Sequence, residues 1–296
     1  MAKKITDSNI QKQPMAEVFG FPISNEGGKA QRYRRLKLCP FGNVSPNCTK
    51  DKAEAPLGVC SVFYNNDKVI TCPVRFREDW LIVENAANFA FPSNAHWTAL
   101  SEIKLKDLDG QSAGNIDYVV VRYDPITKII LDFVSVEVQG VYISGNLRNA
   151  FENYINNPSP DFEWRGKNYP HPDYLSSSRK RLIPQMLSKG GIFKAWGKKQ
   201  CVVIQVSFYN TLPELPEVPI EQADIAWFLY DLKLDTDTNE YHLVLIRIVY
   251  TEFSEALNRV ITPRVGRIED FIGELQEKFE EKEHHSPETP RQLDLF

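Results

Sequence analysis

The apolar positions of the chain fall into runs with two different spacings. Val, Ile, Tyr and Phe crowd residues 116–123 and 129–141 on either side of an Asp124-Pro125 break, which predicts a β-hairpin. The same composition predicts strands at 201–209, 225–234 and 242–251. Helical spacing of the apolar residues predicts helices at 93–105, 147–155, 177–196 with a bend near Pro184, 253–259 and 267–282.

The first part of the chain lacks such periodicity. Residues 1–30 predict an arm with some helix, and residues 36–76 alternate short apolar stretches with Pro and Gly, which predicts irregular backbone that needs an external tie. We therefore expect an N-terminal region at 1–80 and a core at 81–296. The order of elements in the core predicts a mixed sheet flanked by helices, an α/β architecture.

Composition and the start of the chain bear on its location. With 296 residues, of which 42% are hydrophobic, the chain can bury a full core. No apolar run is long enough to cross a membrane, and Met1-Ala2-Lys3-Lys4 leads into polar sequence rather than into a signal peptide. We expect a cytoplasmic protein with no membrane partner.

The net charge of −4 argues against a protein that coats nucleic acid through bulk positive charge. Two segments nevertheless contain basic residues and no acid. Residues 28–38 include Arg32, Arg34 and Arg35, and residues 176–199 include Arg179, Lys180 and Arg181. Either segment alone is typical of a solvated helix face, whereas two such segments in an acidic protein favour a polyanionic partner.

Four of the five cysteines form a C-x8-C-x11-C-x11-C array in the irregular region: Cys39, Cys48, Cys60 and Cys72. Disulfides are not expected in the cytoplasm, which leaves two interpretations. The thiols are either buried core side chains or the ligands of a closed structural metal site that ties the loops together. Zn²⁺ and mononuclear iron both accept four thiolates. Cys201, inside an apolar strand, is expected to be a core residue.

Acidic residues interrupt the two strands of the predicted hairpin. Asp117 heads the first strand and Glu137 lies in the second, so antiparallel pairing can bring their carboxylates to one edge of the sheet. Two carboxylates suit Mg²⁺, which also binds water and phosphate oxygens, the arrangement that metal-dependent phosphodiester hydrolysis uses. Gln139 would orient water or phosphate, and Glu102, on the predicted helix at 93–105, is the candidate third carboxylate. The alternative is that these acids are ordinary solvated strand edges.

Other chemistries lack their signatures. The sequence contains no Walker A loop, no Rossmann glycine fingerprint, no Gly-x-Ser-x-Gly elbow and no His-Glu-x-x-His motif. The five histidines are scattered. A histidine-based nuclease or protease is therefore not expected.

Residues 32–140 resemble a known family. The resemblance is carried by Arg32-Tyr33-Arg34-Arg35-Leu36-Lys37-Leu38-Cys39-Pro40-Phe41, Cys48-Thr49-Lys50, Pro56-Leu57-Gly58-Val59-Cys60-Ser61-Val62 and Ile70-Thr71-Cys72-Pro73-Val74-Arg75-Phe76, followed in order by Glu102, Asp117 and Glu137-Val138-Gln139. This pattern is similar to the cysteine region and the acidic motif of the NotI restriction endonucleases.

The resemblance implies a PD-(D/E)XK nuclease core and a homodimer that cuts both strands of a GC-rich palindrome as part of restriction-modification. By position, Cys39, Cys48, Cys60 and Cys72 would bind a single structural iron. Asp117 and Glu137 would bind Mg²⁺, and Gln139 would stand where the motif usually has lysine, which leaves the general base open.

Two rival functions share these features. One is a metal-stabilised DNA-binding protein that does not cleave, in which Asp117 and Glu137 are surface acids. The other is a repair nuclease that recognises DNA structure rather than sequence. Cleavage assays separate all three, because only a restriction enzyme yields discrete fragments from intact duplex DNA.

Overall fold

A computed structural model describes residues 13–42, 46–52, 54–65, 67–263 and 265–285. The strands are β1 (Met15–Val18), β2 (Phe21–Pro22), β3 (Val59–Tyr64), β4 (Asp67–Ile70), β5 (Trp97–Lys106), β6 (Ser112–Tyr123), β7 (Ile130–Val138), β8 (Ile143–Ser144), β9 (His171–Pro172), β10 (Gln200–Gln205), β11 (Ile225–Asp235) and β12 (Glu240–Thr251). The helices are α1 (Gly28–Leu36), α2 (Leu81–Ala90), α3 (Leu147–Asn156), α4 (Tyr174–Ser177), α5 (Ile183–Gln185), α6 (Gly191–Ala195), α7 (Val206–Tyr209), α8 (Phe253–Ile261) and α9 (Ile268–His285), with a 3₁₀ helix at Pro73–Trp80.

Six strands form the main sheet in the order β12-β11-β10-β7-β6-β5. β10 runs parallel to both β7 and β11, and the other neighbours are antiparallel. The predicted α/β class with a mixed sheet is therefore confirmed, as are the hairpin β6–β7 and the pair β11–β12. The strand predicted at 201–209 ends at Gln205, after which the chain turns into the short helix α7.

Helices cover both faces of this sheet. Alternate side chains of a strand point to opposite faces, and β10 shows both directions. Cys201 and Val203 are buried in a core that includes the apolar side of α2. Val202 and Ile204 are buried in a second core that reaches α3 and α8. Cys201 is fully buried, as expected.

The predicted N-terminal arm is wrong for the described residues from 15 onwards. β1 and β2 form a hairpin within a second, antiparallel sheet of order β2-β1-β3-β4. All residues of these two strands are buried. Residues 1–12 lie outside the described part. The strand β1 escaped detection because it is buried on both faces and carries a charge at Glu17, which Arg75 and Ser61 bind in the interior.

The small sheet joins the main sheet where β7 and β10 end. The amide of Ile70 donates to Oε1 of Gln205 at 2.7 Å, and the amide of Val141 donates to the carbonyl of Ile70 at 2.9 Å. Gly140 allows this approach, because a Cβ there would lie 3.0 Å from the carbonyl oxygen of Thr71. The cysteine-containing segment thus packs against the residues that directly follow β7.

The basic helix predicted at 177–196 is a composite of five segments that runs from 174 to 195. Two π turns, Ser178–Leu182 and Met186–Gly190, separate α4, α5 and α6. We call the whole the composite helix. Pro184, where the sequence predicts a bend, lies in the short segment α5 between the two π turns.

The helix predicted at 93–105 is wrong. These residues contribute β5, which pairs along its length with β6 and forms an edge of the main sheet. Its side chains are mostly exposed, so the spacing of Trp97, Leu100 and Ile103 that indicated a helix reflects no buried face. The other predicted helices are present as α3, α8 and α9.

The chain divides into two compact units, one ending at Val260 and one beginning at Ile261. The second contains α9. Among the described residues, no helix combines the length and the apolar character that crossing a bilayer requires. The acidic motif and the cysteine array both belong to the first unit.

Candidate active site

Asp117 and Glu137 meet where the ladder between β6 and β7 ends. The last paired residues are Tyr118 and Val136, so Asp117 and Glu137 are the next two residues across the pair of strands. There the side chain of Asp117 replaces a backbone acceptor, since its Oδ2 accepts a hydrogen bond from the amide of Val138 at 2.8 Å. On the other side Glu137 is paired in register with Val202 of β10.

Glu137 is only 9% exposed, and its two oxygens differ. Oε2 accepts a hydrogen bond from Nζ of Lys189 at 2.6 Å, whereas Oε1 is buried and has no hydrogen-bond partner among the described residues. Burial raises the pKa of Glu137 to about 7, against the attraction of Lys189. A buried carboxylate oxygen without a partner is costly, and a cation relieves that cost.

Asp117 has similar surroundings. Burial raises its pKa, while the Val138 amide and the charges of Lys189 and Arg77 oppose that rise. The two carboxylates also act on each other, since the charge of Asp117 raises the pKa of Glu137. Two partly desolvated acids that lie next to each other on the adjacent strands β6 and β7 form a site that fits a hard divalent cation.

Gln139 follows the strand and is held at both ends. Its amide donates to the carbonyl of Val203 at 2.9 Å, and its side-chain Nε2 donates to Oε1 of Gln185 in α5. The side chain is 5% exposed. The carboxamide is therefore fixed beside Glu137 by the composite helix.

Glu102 lies on the strand β5, not on a helix. Its neighbours Ser101 and Ile103 pair with Tyr118 and Ile116, which places Glu102 across from Asp117. Its φ of 55° is in the left-handed region, and the side chain is exposed. Its charge raises the pKa of Asp117. Within the described residues, however, no group of three or more His, Cys, Asp or Glu side chains is arranged to hold a metal ion.

Two cations at this site were missed by the sequence reasoning. Lys189 counted only as one of many basic residues on a predicted helix, yet its side chain is buried against Glu137. Arg77 attracted no notice, although its guanidinium lies 5.4 Å from the ring centre of Tyr118 and its charge lowers the pKa of Asp117. The sequence did carry one signal: Gln139 stands where the motif usually has a lysine. That absence could have prompted a search for a cation elsewhere in the chain.

Comparison with protein families shows which family the chain belongs to. The family model described as restriction endonuclease NotI matches residues 17–243, which covers most of the chain and every residue of this site. The chain belongs to the NotI restriction endonuclease family. No curated protein matches it. The predicted family is confirmed, and membership makes the chain a DNA-binding hydrolase, a nuclease of the type II restriction class.

The second feature of the NotI resemblance, the cysteine array, is gathered beside this site. The charges of Cys72 and Cys48 act on Cys39, and those of Cys72 and Cys39 act on Cys60. Burial is the largest cause that raises the pKa of Cys39 to about 11 and the pKa of Cys60 well above its ordinary value. Without a cation the thiols of Cys39 and Cys60 stay protonated, so metal binding by these two residues would release protons.

The donor chemistry of this cluster fits a four-thiolate metal. Backbone amides of Phe41 and Gly42 donate to the Cys39 sulfur, and the amide of Lys50 donates to the Cys48 sulfur. Such donors stabilise thiolates. Among the described residues, however, the four thiols are not arranged as a ligand set for a metal ion. The thiol of Cys60 donates to the carbonyl of Gly58 at 4.0 Å. Three of the cysteines line a cavity of about 410 Å³ that also reaches Arg77 and Glu102.

The predicted DNA-binding residues have different environments. Arg179, Lys180 and Arg181 lie on the first π turn of the composite helix, where all three are exposed. On α1, Arg32 and Arg35 have solvent-facing side chains. Arg34 is half-buried, and its guanidinium donates to the carbonyls of Asn25 and Pro22. Arg34 therefore holds the entry to α1 through its two terminal nitrogens, while its Nε is buried without a hydrogen-bond partner among the described residues.

Proposed function

We propose that the protein hydrolyses phosphodiester bonds in both strands of a specific, GC-rich palindromic DNA site, as a homodimer that uses Mg²⁺. The observation that supports this is the pair of carboxylates of half-buried Asp117 and buried Glu137, with one oxygen of Glu137 left without a partner among the described residues. Family membership supplies the reaction class. The pair supplies a place for the cation that this reaction needs.

Asp117 and Glu137 would hold the Mg²⁺. When bound, the ion supplies positive charge that stabilises the phosphate as it is attacked and helps to activate water. The protein's own part is to fix both carboxylates: the Val138 amide holds Asp117, and Lys189 holds Glu137. In this proposal the motif is a PD-(D/E)XK motif in which Gln139 takes the lysine position.

Other groups would act on the DNA at the reacting centre. The Gln139 carboxamide, held by Gln185, would orient the attacking water or the scissile phosphate. Arg77 would bind a phosphate oxygen, since its guanidinium lies beside Tyr118 and lines the cavity that Glu102 also lines. Glu102 would serve as a third carboxylate once DNA is bound.

The four cysteines would hold a single structural iron, with zinc as the alternative metal. Four thiolates leave no open position, so this metal would brace the segment from Cys39 to Cys72 without taking part in cleavage. Zinc is colourless, so the absorption spectrum of the purified protein distinguishes the two. A colourless protein with one equivalent of zinc would refute the iron assignment and keep the structural site.

Cations that reach solvent would bind the DNA backbone. We assign this role to Arg32 and Arg35 on α1 and to Arg179, Lys180 and Arg181 on the composite helix. Arg34 keeps a supporting role through its backbone contacts. Replacing any one of these phosphate-binding side chains by alanine should lower the salt dependence of DNA binding by about one unit of slope.

The test is digestion of a long GC-rich genomic DNA with Mg²⁺ or with EDTA, by the wild type, Asp117→Ala and Glu137→Ala. Discrete fragments from the wild type with Mg²⁺ alone, and a loss on the order of 1,000-fold in both variants, are expected. Asp132→Ala is the matched control, since Asp132 lies on β7 but is paired with Lys198. Intact DNA in every lane would refute cleavage, and a smear or damage-dependent nicks would refute site specificity.

A further inference from the structure

Lys189 is a buried cation whose contacts end on the candidate metal ligand. The residue is 4% exposed, and its ammonium donates to Oε2 of Glu137 at 2.6 Å and to the carbonyl of Asn115 at 2.8 Å. Lysine is almost never buried unless it is paired, because desolvating its charge is costly. The position of this side chain therefore depends on Glu137.

The backbone of the composite helix directs Lys189 towards the site. The residue lies in the second π turn. Such turns are rare in proteins as a whole, but those that occur are often found at functional sites. The next residue, Gly190, packs so closely under Phe253 that a Cβ there would lie 2.5 Å from its ring. On the other side the lysine stem packs along Gly114, whose φ is 113°, and passes 3.6 Å from where a Cβ would stand, an ordinary van der Waals distance.

One helical turn earlier, the same helix reaches the same strand a second time. Gln185 accepts a hydrogen bond from Gln139, and Lys189 donates to Glu137, so residues four apart on the helix contact residues two apart on the strand. Both pairs lie on one face of each element. The helix thus supports the two motif positions that follow Asp117 in the site.

We propose that Lys189 is a positioning residue for DNA cleavage, the cation that this chain supplies from the composite helix because position 139 is a glutamine. It holds Oε2 of Glu137 so that only Oε1 remains free to bind Mg²⁺. The proposal rests on the proposed function and deepens it. Its support is geometric: one carboxylate oxygen is engaged by Lys189, and the other is buried without a partner in the described part of the chain.

A structural role for Lys189 leads to a different expectation. If the lysine served only to neutralise a buried acid, its loss would lower stability and leave turnover of the folded molecules unchanged. A positioning role instead predicts an effect on turnover and on the Mg²⁺ requirement, since groups that orient a metal ligand change metal affinity about 10–100-fold.

The experiment compares Lys189→Met with Lys189→Gln, which keeps a donor for the Asn115 carbonyl. The matched control is Lys194→Met on the same helix, where Lys194 is exposed and paired with Asp224. For each folded variant, kcat under saturating Mg²⁺, the Mg²⁺ concentration for half-maximal rate and the Kd for DNA without metal are measured. Thermal unfolding reports stability separately.

For both Lys189 variants we expect kcat to fall about 100-fold and the half-maximal Mg²⁺ concentration to rise about tenfold, with the Kd for DNA within about twofold of wild type. Wild-type kcat and Mg²⁺ dependence in either folded variant would overturn the proposal, whatever its stability. If the wild type cleaves DNA and Lys189→Met cleaves it at the same rate, only this inference is refuted. A wild type that never cleaves refutes the proposed function itself.

Discussion

Two buried ion pairs in this chain look alike in composition and differ in completeness. Glu17 and Arg75 are both 0% exposed, and every carboxylate oxygen is engaged: Arg75 Nε reaches Oε1 at 3.0 Å and Oε2 at 3.2 Å, and Ser61 donates to Oε2 at 2.6 Å. Glu137 and Lys189 are nearly as buried, yet Oε1 of Glu137 has no partner among the described residues.

The difference separates a structural pair from a candidate reactive one. The Glu17 pair is saturated by the fold, so no ligand has anything to add there. The Glu137 pair has an acceptor in reserve and a second acid, Asp117, whose charge acts on it. The cations differ too, because arginine presents several donors on a planar guanidinium while lysine presents a single compact ammonium.

The largest expected contrast is in stability. Glu17→Ala should cost about 3–5 kcal/mol, because it removes the carboxylate that Nε of the fully buried Arg75 contacts and leaves that guanidinium only Glu78 and the Tyr241 carbonyl as acceptors. Glu137→Ala should cost less than about 2 kcal/mol, since Lys189 keeps the Asn115 carbonyl and the substitution also removes a buried oxygen that has no partner among the described residues. Urea unfolding without metal measures both, and equal losses would remove the distinction between the pairs.

The next contrast is in the response to metal. If Mg²⁺ binds only the folded protein at Glu137 and Asp117, an excess of about 100 times its Kd stabilises the wild type by about 2.7 kcal/mol. Unfolding with and without Mg²⁺ should show this gain in the wild type and none in Asp117→Ala. A conservative Glu17→Gln variant that folds should keep the gain, and its loss there would mean that the ion binds elsewhere.

The smallest expected contrast is in the stability at acidic pH, and it concerns Glu78, which also binds Arg75. Burial would raise the pKa of Glu78, but Arg75, the Leu243 amide and His242 together hold it below its ordinary value. A lowered pKa means that Glu78 stabilises the fold above its unfolded-state pKa, and that this is lost as the pH falls through the folded-state value.

Glu78→Gln should therefore reduce stability by about 1 kcal/mol at neutral pH and flatten its decline in acid. The measurement is the free energy of unfolding at a series of pH values from neutral downwards. A variant that loses stability in acid as steeply as the wild type would show that Glu78 does not contribute to this decline.

The sequence predicted those parts of the site that depend on strand pairing. The period-two pattern of β6 and β7 predicts their pairing, and pairing brings Asp117 to Glu137. It did not predict Lys189, because the π turns shift the helical face and no sequence periodicity marks them. β1 was missed because the charge of Glu17 is neutralised by Arg75, which is distant in the sequence. β5 was missed because an exposed edge strand has no buried face that would produce a period-two pattern.

The left-handed backbone at Glu102 has a consequence for aggregation. β5 is a free edge of the main sheet, and a regular edge presents unpaired amides and carbonyls on which a strand of another molecule can add. A residue with φ of 55° interrupts that row, and the exposed charges of Glu102, Lys104 and Lys106 oppose a close neighbour. The strand that carries a candidate catalytic acid is thereby also protected against sheet extension.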